Sequence, residues 1–274
     1  LNNKTPAMPY LPINECKYYY EIHGPEDAEE TIVFSHGLLW SGRLFHKQVA
    51  YLKGRYKIVT YDHRGQGKSE VTERGYDMDS LYRDACELIT RLELGSVHFV
   101  GLSMGGFIGM RLAARNPELV KSLVLIETSA QKEPNVFKYT LLNTLVKLLG
   151  IEAVSDRVMP IMFGQTFLND PNRVWEKNEW KAYLESNSKS ITKAVKGIIN
   201  RNDVVQELKK INCPVLVLVG TEDIATVPEK AEFIHSQIPQ SQLRYIQNAG
   251  HSSSIEEPEQ VNHYLDEFLG ALKT

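Results

Sequence analysis

Five short apolar runs, each about one strand long, constrain this chain more than any other feature. They are Thr31–Ser35 (TIVFS), Lys57–Tyr61 (KIVTY), Val97–Leu102 (VHFVGL), 122–126 (SLVLI) and Val215–Gly220 (VLVLVG). Each is nearly continuous in apolar character, so a sheet built from them must be covered on both faces. The segments between them carry helical spacing. Leu81, Ala85, Leu88, Ile89 and Leu92 recur at three- and four-residue intervals, as do Val261, Leu265, Phe268 and Leu269. Pro228 and Pro258 stand where the first turn of a helix tolerates a missing N–H. Segments 18–22 and 243–246 read as edge strands. This alternation predicts an α/β fold: a central, mostly parallel sheet flanked by helices, with right-handed crossovers.

From about residue 133 to 201 the rhythm stops. No buried strand is legible there. Leu141, Leu142, Leu145, Leu148 and Leu149 suggest one helix, and 158–167, 175–184 and 191–199 suggest others. The expected organisation is a core of residues 1–130 and 206–274 with a helical cap inserted over 131–205. Met159, Met162, Phe163, Phe167, Trp175, Trp180 and Tyr183 are expected to pack this insert onto the main body. As a group they also suffice to roof a pocket.

Charge and cysteine content exclude several function classes. Lys and Arg total 31 against 34 Asp and Glu, so the basic excess of a nucleic-acid binder is missing. Cys16, Cys86 and Cys213 form neither a disulfide framework nor a metal-binding pair, which suits a reducing, cytoplasmic setting. No apolar run reaches the roughly 18 residues of a spanning helix. Residues 1–10 are polar and show no apolar leader, although the chain begins with Leu rather than Met. Arg157, Arg173 and Lys177 in the insert are candidates for contacting a carboxylate; otherwise they are solvated.

Gly101-Leu102-Ser103-Met104-Gly105 fits G-x-S-x-G, with an apolar strand before it and a helix-type segment after it. That setting holds a serine on a sharp, strained turn above the end of a sheet. Glycines two residues to either side avoid collision with neighbouring backbone. The helix N-terminus that follows favours developing negative charge. A serine hydroxyl is a weak nucleophile at neutral pH and needs a base, which in turn needs an orienting group. On such an elbow the acid and then the base follow the serine along the chain. Asp223, just past the run Val215–Gly220, and His251, in Asn248-Ala249-Gly250-His251, fit that order. Glu222 and Glu127 are the alternative acids. His98 lies inside a strand, His46, His235 and His263 lie on helices, and His63 lies before the acid, so His251 is the candidate base. The Met104 N–H is one candidate oxyanion donor. The Leu38 N–H, in the turn after Thr31–Ser35, is the other. His36 is expected to brace that turn. Trp40, Met159, Phe163 and Trp180 are the candidate substrate-binding residues. The segment YDHRGQGKS at 61–69 lacks the Walker spacing and reads as a tight structural loop.

Taken together, HGLLWSG at 36–42, YDHRGQGKS at 61–69, GLSMGG at 101–106, GTED at 220–223 and NAGH at 248–251 make the chain resemble the α/β-hydrolase fold family along almost its full length. The resemblance implies the mostly parallel sheet, a helical cap over about 131–205 and a triad of Ser103, Asp223 and His251. Within the family, GLSMGG and the small cap resemble serine carboxylesterases, 3-oxoadipate enol-lactonases and cofactor-free haloperoxidases. The segments FSHG, SGR and YDHRG are similar to those of monoacylglycerol lipases. A serine nucleophile, rather than aspartate, separates the chain from haloalkane dehalogenases and epoxide hydrolases. The expected activity is hydrolysis of a small or medium, largely apolar carboxylic ester through an acyl-enzyme, with no metal or organic cofactor. Lactonase, perhydrolase and monoacylglycerol lipase activity use the same triad and are the alternatives. A ligand receptor built on the same fold is a third class.

Overall fold

The computed structural model describes residues 9–273. The expectation of a polar, leaderless start concerns residues 1–10 and lies almost wholly outside the described residues. Eight strands form one sheet: β1 (Tyr10–Ile13), β2 (Cys16–His23), β3 (Thr31–Ser35), β4 (Lys57–Tyr61), β5 (Val97–Leu102), β6 (Val120–Ile126), β7 (Val215–Gly220) and β8 (Gln242–Ile246). Their order across the sheet is β1-β2-β4-β3-β5-β6-β7-β8. β1 and β2 are antiparallel, as are β2 and β4, and from β4 to β8 every pairing is parallel.

β3, β4, β5 and β7 have the limits expected from the sequence, and β6 begins two residues before the expected 122. Segment 18–22, expected at an edge, is covered by β1. β1 itself escapes a pattern search. It is four residues long and carries Pro12, which only an edge strand tolerates. Its hairpin turns on Asn14 and Glu15, with φ of 44° and 62°, without the Asn-Gly pair that usually marks such a turn.

Alternate residues of the parallel strands feed two cores. Val33, Val97 and Phe99 face α2 (Met78–Arg91) and α3 (Met104–Arg115). Ile32, Phe34, Val100 and Leu102 face α1 (His46–Leu52) and the C-terminal helix Pro258–Ala271. Pro228 and Pro258 each stand in the first turn of their helix, as expected.

Between β6 and β7 the chain forms α4 (Val136–Leu149), α5 (Ser155–Met162), α6 (Gln165–Asn169), α7 (Val174–Glu185) and α8 (Ile191–Ile199), with no strand among them. The helix expected over 158–167 is two helices. Phe163 is extended and Gly164 caps α6, because the Gly164 N–H is drawn to a carboxylate of the main body. Met159, Met162, Phe163, Phe167 and Trp180 pack into the same core as Phe34 and Trp40, so the insert has no separate core. Trp175 departs from its expected packing role and is 76% exposed.

Candidate active site

Every residue singled out for chemistry lies just past the carboxyl end of a parallel strand. Leu38 follows β3, Ser103 follows β5, Asp223 follows β7 and His251 follows β8. Open α/β sheets place their sites at this edge.

Ser103 sits at φ 52° and ψ −109°, a strained conformation for any residue with a side chain. Neighbouring groups hold it there. Its N–H donates to Ile126 O (2.8 Å), and its carbonyl accepts from Thr128 Oγ1 (2.8 Å) and the Phe107 N–H (3.1 Å). The two motif glycines are sterically obligatory. A Cβ on Gly101 would overlap the Gly105 carbonyl, and one on Gly105 would overlap the Ser35 carbonyl.

Asp223 is buried and accepts from Ala225 N (2.8 Å), Thr226 N (3.0 Å) and Thr226 Oγ1 (2.7 Å). Its Oδ2 lies 2.9 Å from His251 Nδ1. Burial alone would raise this carboxyl. The His251 ring beside it and the hydrogen bonds from His251, Glu127 and Thr226 outweigh burial and hold it well below the usual carboxylate range. A carboxylate only accepts, so the imidazole proton resides on Nδ1 and Nε2 is left as an acceptor. Ser103 Oγ lies 2.9 Å from that Nε2 and donates to it. The arrangement can take a proton from the serine hydroxyl as it attacks.

Glu127, the alternative acid after β6, is fully buried and does not contact His251 through any hydrogen bond. Its oxygens accept from the Gly220 N–H (3.0 and 2.9 Å). Burial and the charge of Asp223 push it well above the ordinary carboxylate range, and it is hydrogen-bonded to Asp223. Glu222, the other alternative, turns away and binds Thr166 of the insert.

The turn after β3 is braced from behind. His36 Nδ1 donates to Gly37 O (2.6 Å), and its Nε2 accepts from His63 N (2.9 Å). Gln66 Oε1 accepts from Leu39 N (2.9 Å), and Leu39 itself has φ 72°. Gln66 belongs to the YDHRGQGKS loop. That loop is fixed by Asp62, which accepts from Gly42 N and Lys68 N (both 2.8 Å), and by the buried Arg64–Asp84 pair (3.0 Å). The Leu38 and Met104 N–H groups donate to no group among the described residues, whereas their neighbours Leu39 and Ser103 both do. Sequence reasoning passed over Gln66, Thr128 and Thr226, whose roles depend on partners 25 or more positions away except for the local Thr226–Asp223 bond.

Trp40, Met159, Phe163 and Trp180 are brought together and buried. Trp40 meets Phe163 and Trp180 edge to face, with ring centroids 5.8 and 5.4 Å apart. Of the three cationic candidates, Arg157 is exposed. Arg173 is engaged rather than solvated: it pairs with Glu176 and donates to the carbonyls of Ile255 and Glu256. Lys177 Nζ donates to Leu168 O (3.0 Å). Among the described residues no group of three or more His, Cys, Asp or Glu side chains is arranged to hold a metal ion, and no helix is long and apolar enough to cross a membrane.

Comparison with known proteins agrees with this architecture. A protein of Agrobacterium fabrum named as a carbamate hydrolase, RutD, is 28% identical over 92% of this chain and 97% of its own length. The 3-oxoadipate enol-lactonase 2 of Acinetobacter baylyi is 27% identical over 90% of this chain and 91% of its own. The crystal structure of the enol-lactonase from Burkholderia xenovorans LB400 superposes with a TM-score of 0.89 at 26% identity, covering 96% of this chain and all of that one. A thermophilic esterase from Thermogutta terrifontis superposes at 0.86, also at 26% identity, covering 94% and 95%. The model of the alpha/beta hydrolase fold family matches residues 30–258, and the chain belongs to that family of hydrolases.

Proposed function

We propose that this chain is a serine hydrolase that cleaves carboxylic esters through an acyl-enzyme. The observation that carries the reading is the continuous relay from Ser103 Oγ to His251 Nε2 (2.9 Å) and from His251 Nδ1 to Asp223 Oδ2 (2.9 Å). Ser103 attacks the acyl carbon while His251 takes its proton. Asp223 holds the imidazole in the tautomer that can accept and stabilises the imidazolium that forms. The unpaired Leu38 and Met104 N–H groups stabilise the tetrahedral oxyanion. His251 then protonates the leaving alcohol. Water, deprotonated by the same nitrogen, releases the acid and restores the serine.

The helical insert acts as a cap, and Trp40, Met159, Phe163 and Trp180 form the apolar wall on the acyl side. Their mutual aromatic contacts favour a compact, largely apolar substrate over a charged one. Hydrolysis of p-nitrophenyl esters from acetate to palmitate, with Ser103→Ala alongside, tests the reading. Activity that peaks at short chains and disappears in the variant is the expected result. Wild-type turnover that survives in Ser103→Ala would overturn it.

A lactone is the second reading, favoured by the likeness to enol-lactonases over nearly the whole chain. The same steps open a ring, with the leaving alcohol retained on the acyl group. Lactone turnover exceeding that of every linear ester would favour it.

A further inference from the structure

Two glutamates beside the proposed triad take no part in its relay, and both hold the same short piece of the insert. Glu256 lies in the four-residue helix Ser253–Glu256, five positions past His251, and is 1% exposed. Its Oε2 accepts from the N–H groups of Gly250 (3.0 Å) and Gly164 (2.8 Å), and its Oε1 accepts from Ser252 N–H (3.1 Å). One carboxylate therefore grips both chain neighbours of His251 and the insert at once. The two backbones touch directly. A Cβ on Gly250 would lie 2.7 Å from the carbonyl carbon of Phe163, and one on Gly164 would lie 2.8 Å from Gly250 N.

Glu222 does the same for the acid loop. It is the chain neighbour of Asp223, and it accepts from Thr166 N–H (2.8 Å) and from the Thr166 hydroxyl. Arg173 adds a third tie, donating to Glu256 O (2.6 Å) and Ile255 O (3.1 Å). The Arg173 bonds are charge-assisted, and such bonds are shorter and stronger than neutral ones. Burial pushes the Glu256 carboxyl up to about 7, so its grip on the three backbone N–H groups gains that strength as pH rises through 7. Alignment of a base matters steeply, since a misplacement of about 1 Å can cost on the order of 100-fold in rate.

We propose that residues 163–166 are a latch that positions the triad: through Glu256 the insert sets the place of His251, and through Glu222 it sets the place of Asp223. Glu256 is the principal positioning residue. The inference rests on the serine-hydrolase reading above. Its consequence is that a displaced insert leaves Ser103 without an aligned base, so the reaction is confined to the closed arrangement.

The test uses the full chain, phenyl acetate kinetics and labelling of Ser103 by a fluorophosphonate, in which Oγ bonds to phosphorus, fluoride leaves and His251 takes the proton. Glu256→Gln keeps the side chain's shape but sets an amide N–H against the backbone donors. We expect its labelling rate and kcat to fall about tenfold or more, with KM for phenyl acetate near the wild-type value. Glu222→Gln loses less. The double variant is non-additive, because both bonds act through one segment. Thr166→Val, at an exposed position, removes only the hydroxyl bond and serves if Glu256→Gln does not fold; a loss of about threefold is expected. Wild-type labelling rates in the folded variants, or an effect confined to KM, overturn the latch. A wild-type protein that is not labelled overturns the serine-hydrolase reading instead, and the latch with it.

Discussion

The Nε2 of His36 accepts a hydrogen bond from the backbone N–H of His63 (2.9 Å) while its Nδ1 donates to Gly37 O (2.6 Å). Both bonds exist together only while His36 is neutral. Burial pushes its pKa down from 6.5 to about 4, and burial and His36 push His63 down as well. An unfolded chain therefore binds these protons first as pH falls. The stability they contribute is complete above pH 6.5 and is lost between 6.5 and 4. Urea unfolding at pH 7 and pH 5 should show His36 alone costing about 2 kcal/mol. A loss of the same size in His36→Gln would refute this.

Removing the serine should abolish turnover. Ser103→Ala is expected to lower kcat on a p-nitrophenyl ester by about 10⁶-fold, the size seen when a serine-protease nucleophile is removed. Binding of the ester should survive, because the proposed acyl-side wall is untouched. Isothermal titration of a non-hydrolysable analogue checks that half of the prediction.

The two buried carboxyls should respond in opposite ways. Asp223→Asn turns the imidazole into the wrong tautomer and should cost about 10⁴-fold in kcat. Glu127→Gln keeps the side chain's shape and an oxygen to accept from the Gly220 N–H, and should stay within about tenfold of wild type. Equal losses in both variants would mean that Glu127 works as an anion.

Gly105→Ala probes the steric logic of the elbow. Its Cβ would overlap the Ser35 carbonyl, which belongs to a central strand and has no room to move. Overpacking against backbone should destabilise the fold by about 3 kcal/mol. A urea midpoint equal to that of the wild type would contradict the contact.

The loop after β4 should prove structural. Arg64 and Asp84 are 4% and 2% exposed, and Asp84 also accepts from the Tyr18 hydroxyl. Arg64→Ala leaves a buried carboxylate uncompensated and should cost about 3–5 kcal/mol. Because the loop carries Gln66, which holds Leu39 N, the folded fraction should also lose kcat. Stopped-flow acylation rates measured below the unfolding transition would show it.

The latch and the elbow mark the boundary between what is legible in a sequence and what is not. Strands β3, β4, β5 and β7 could be read directly, because a strand buried on both faces writes itself as a continuous apolar run. The serine could be read because its turn forbids a Cβ two positions to either side, and glycine is the only residue that satisfies both sites. Asp223 and His251 followed from chain order and from their places past strand ends. β1 was hidden by its length and its proline.

Glu127, Glu222 and Asp223 are all carboxyls in loops at one edge of the sheet, and the sequence by itself could not rank their environments. Tertiary packing decided that Asp223 meets the imidazole, that Glu127 is buried beside Asp223 and pushed above the ordinary carboxylate range, and that Glu222 faces Thr166 instead. The same holds for Glu256, whose three backbone partners come from two segments 86 or more positions apart. Pattern and steric exclusion act along the chain, so the sequence by itself determined the sheet, the helices and the serine elbow. Desolvation and hydrogen bonding act through space, so only the folded structure decided how each carboxyl is shifted and what each one holds.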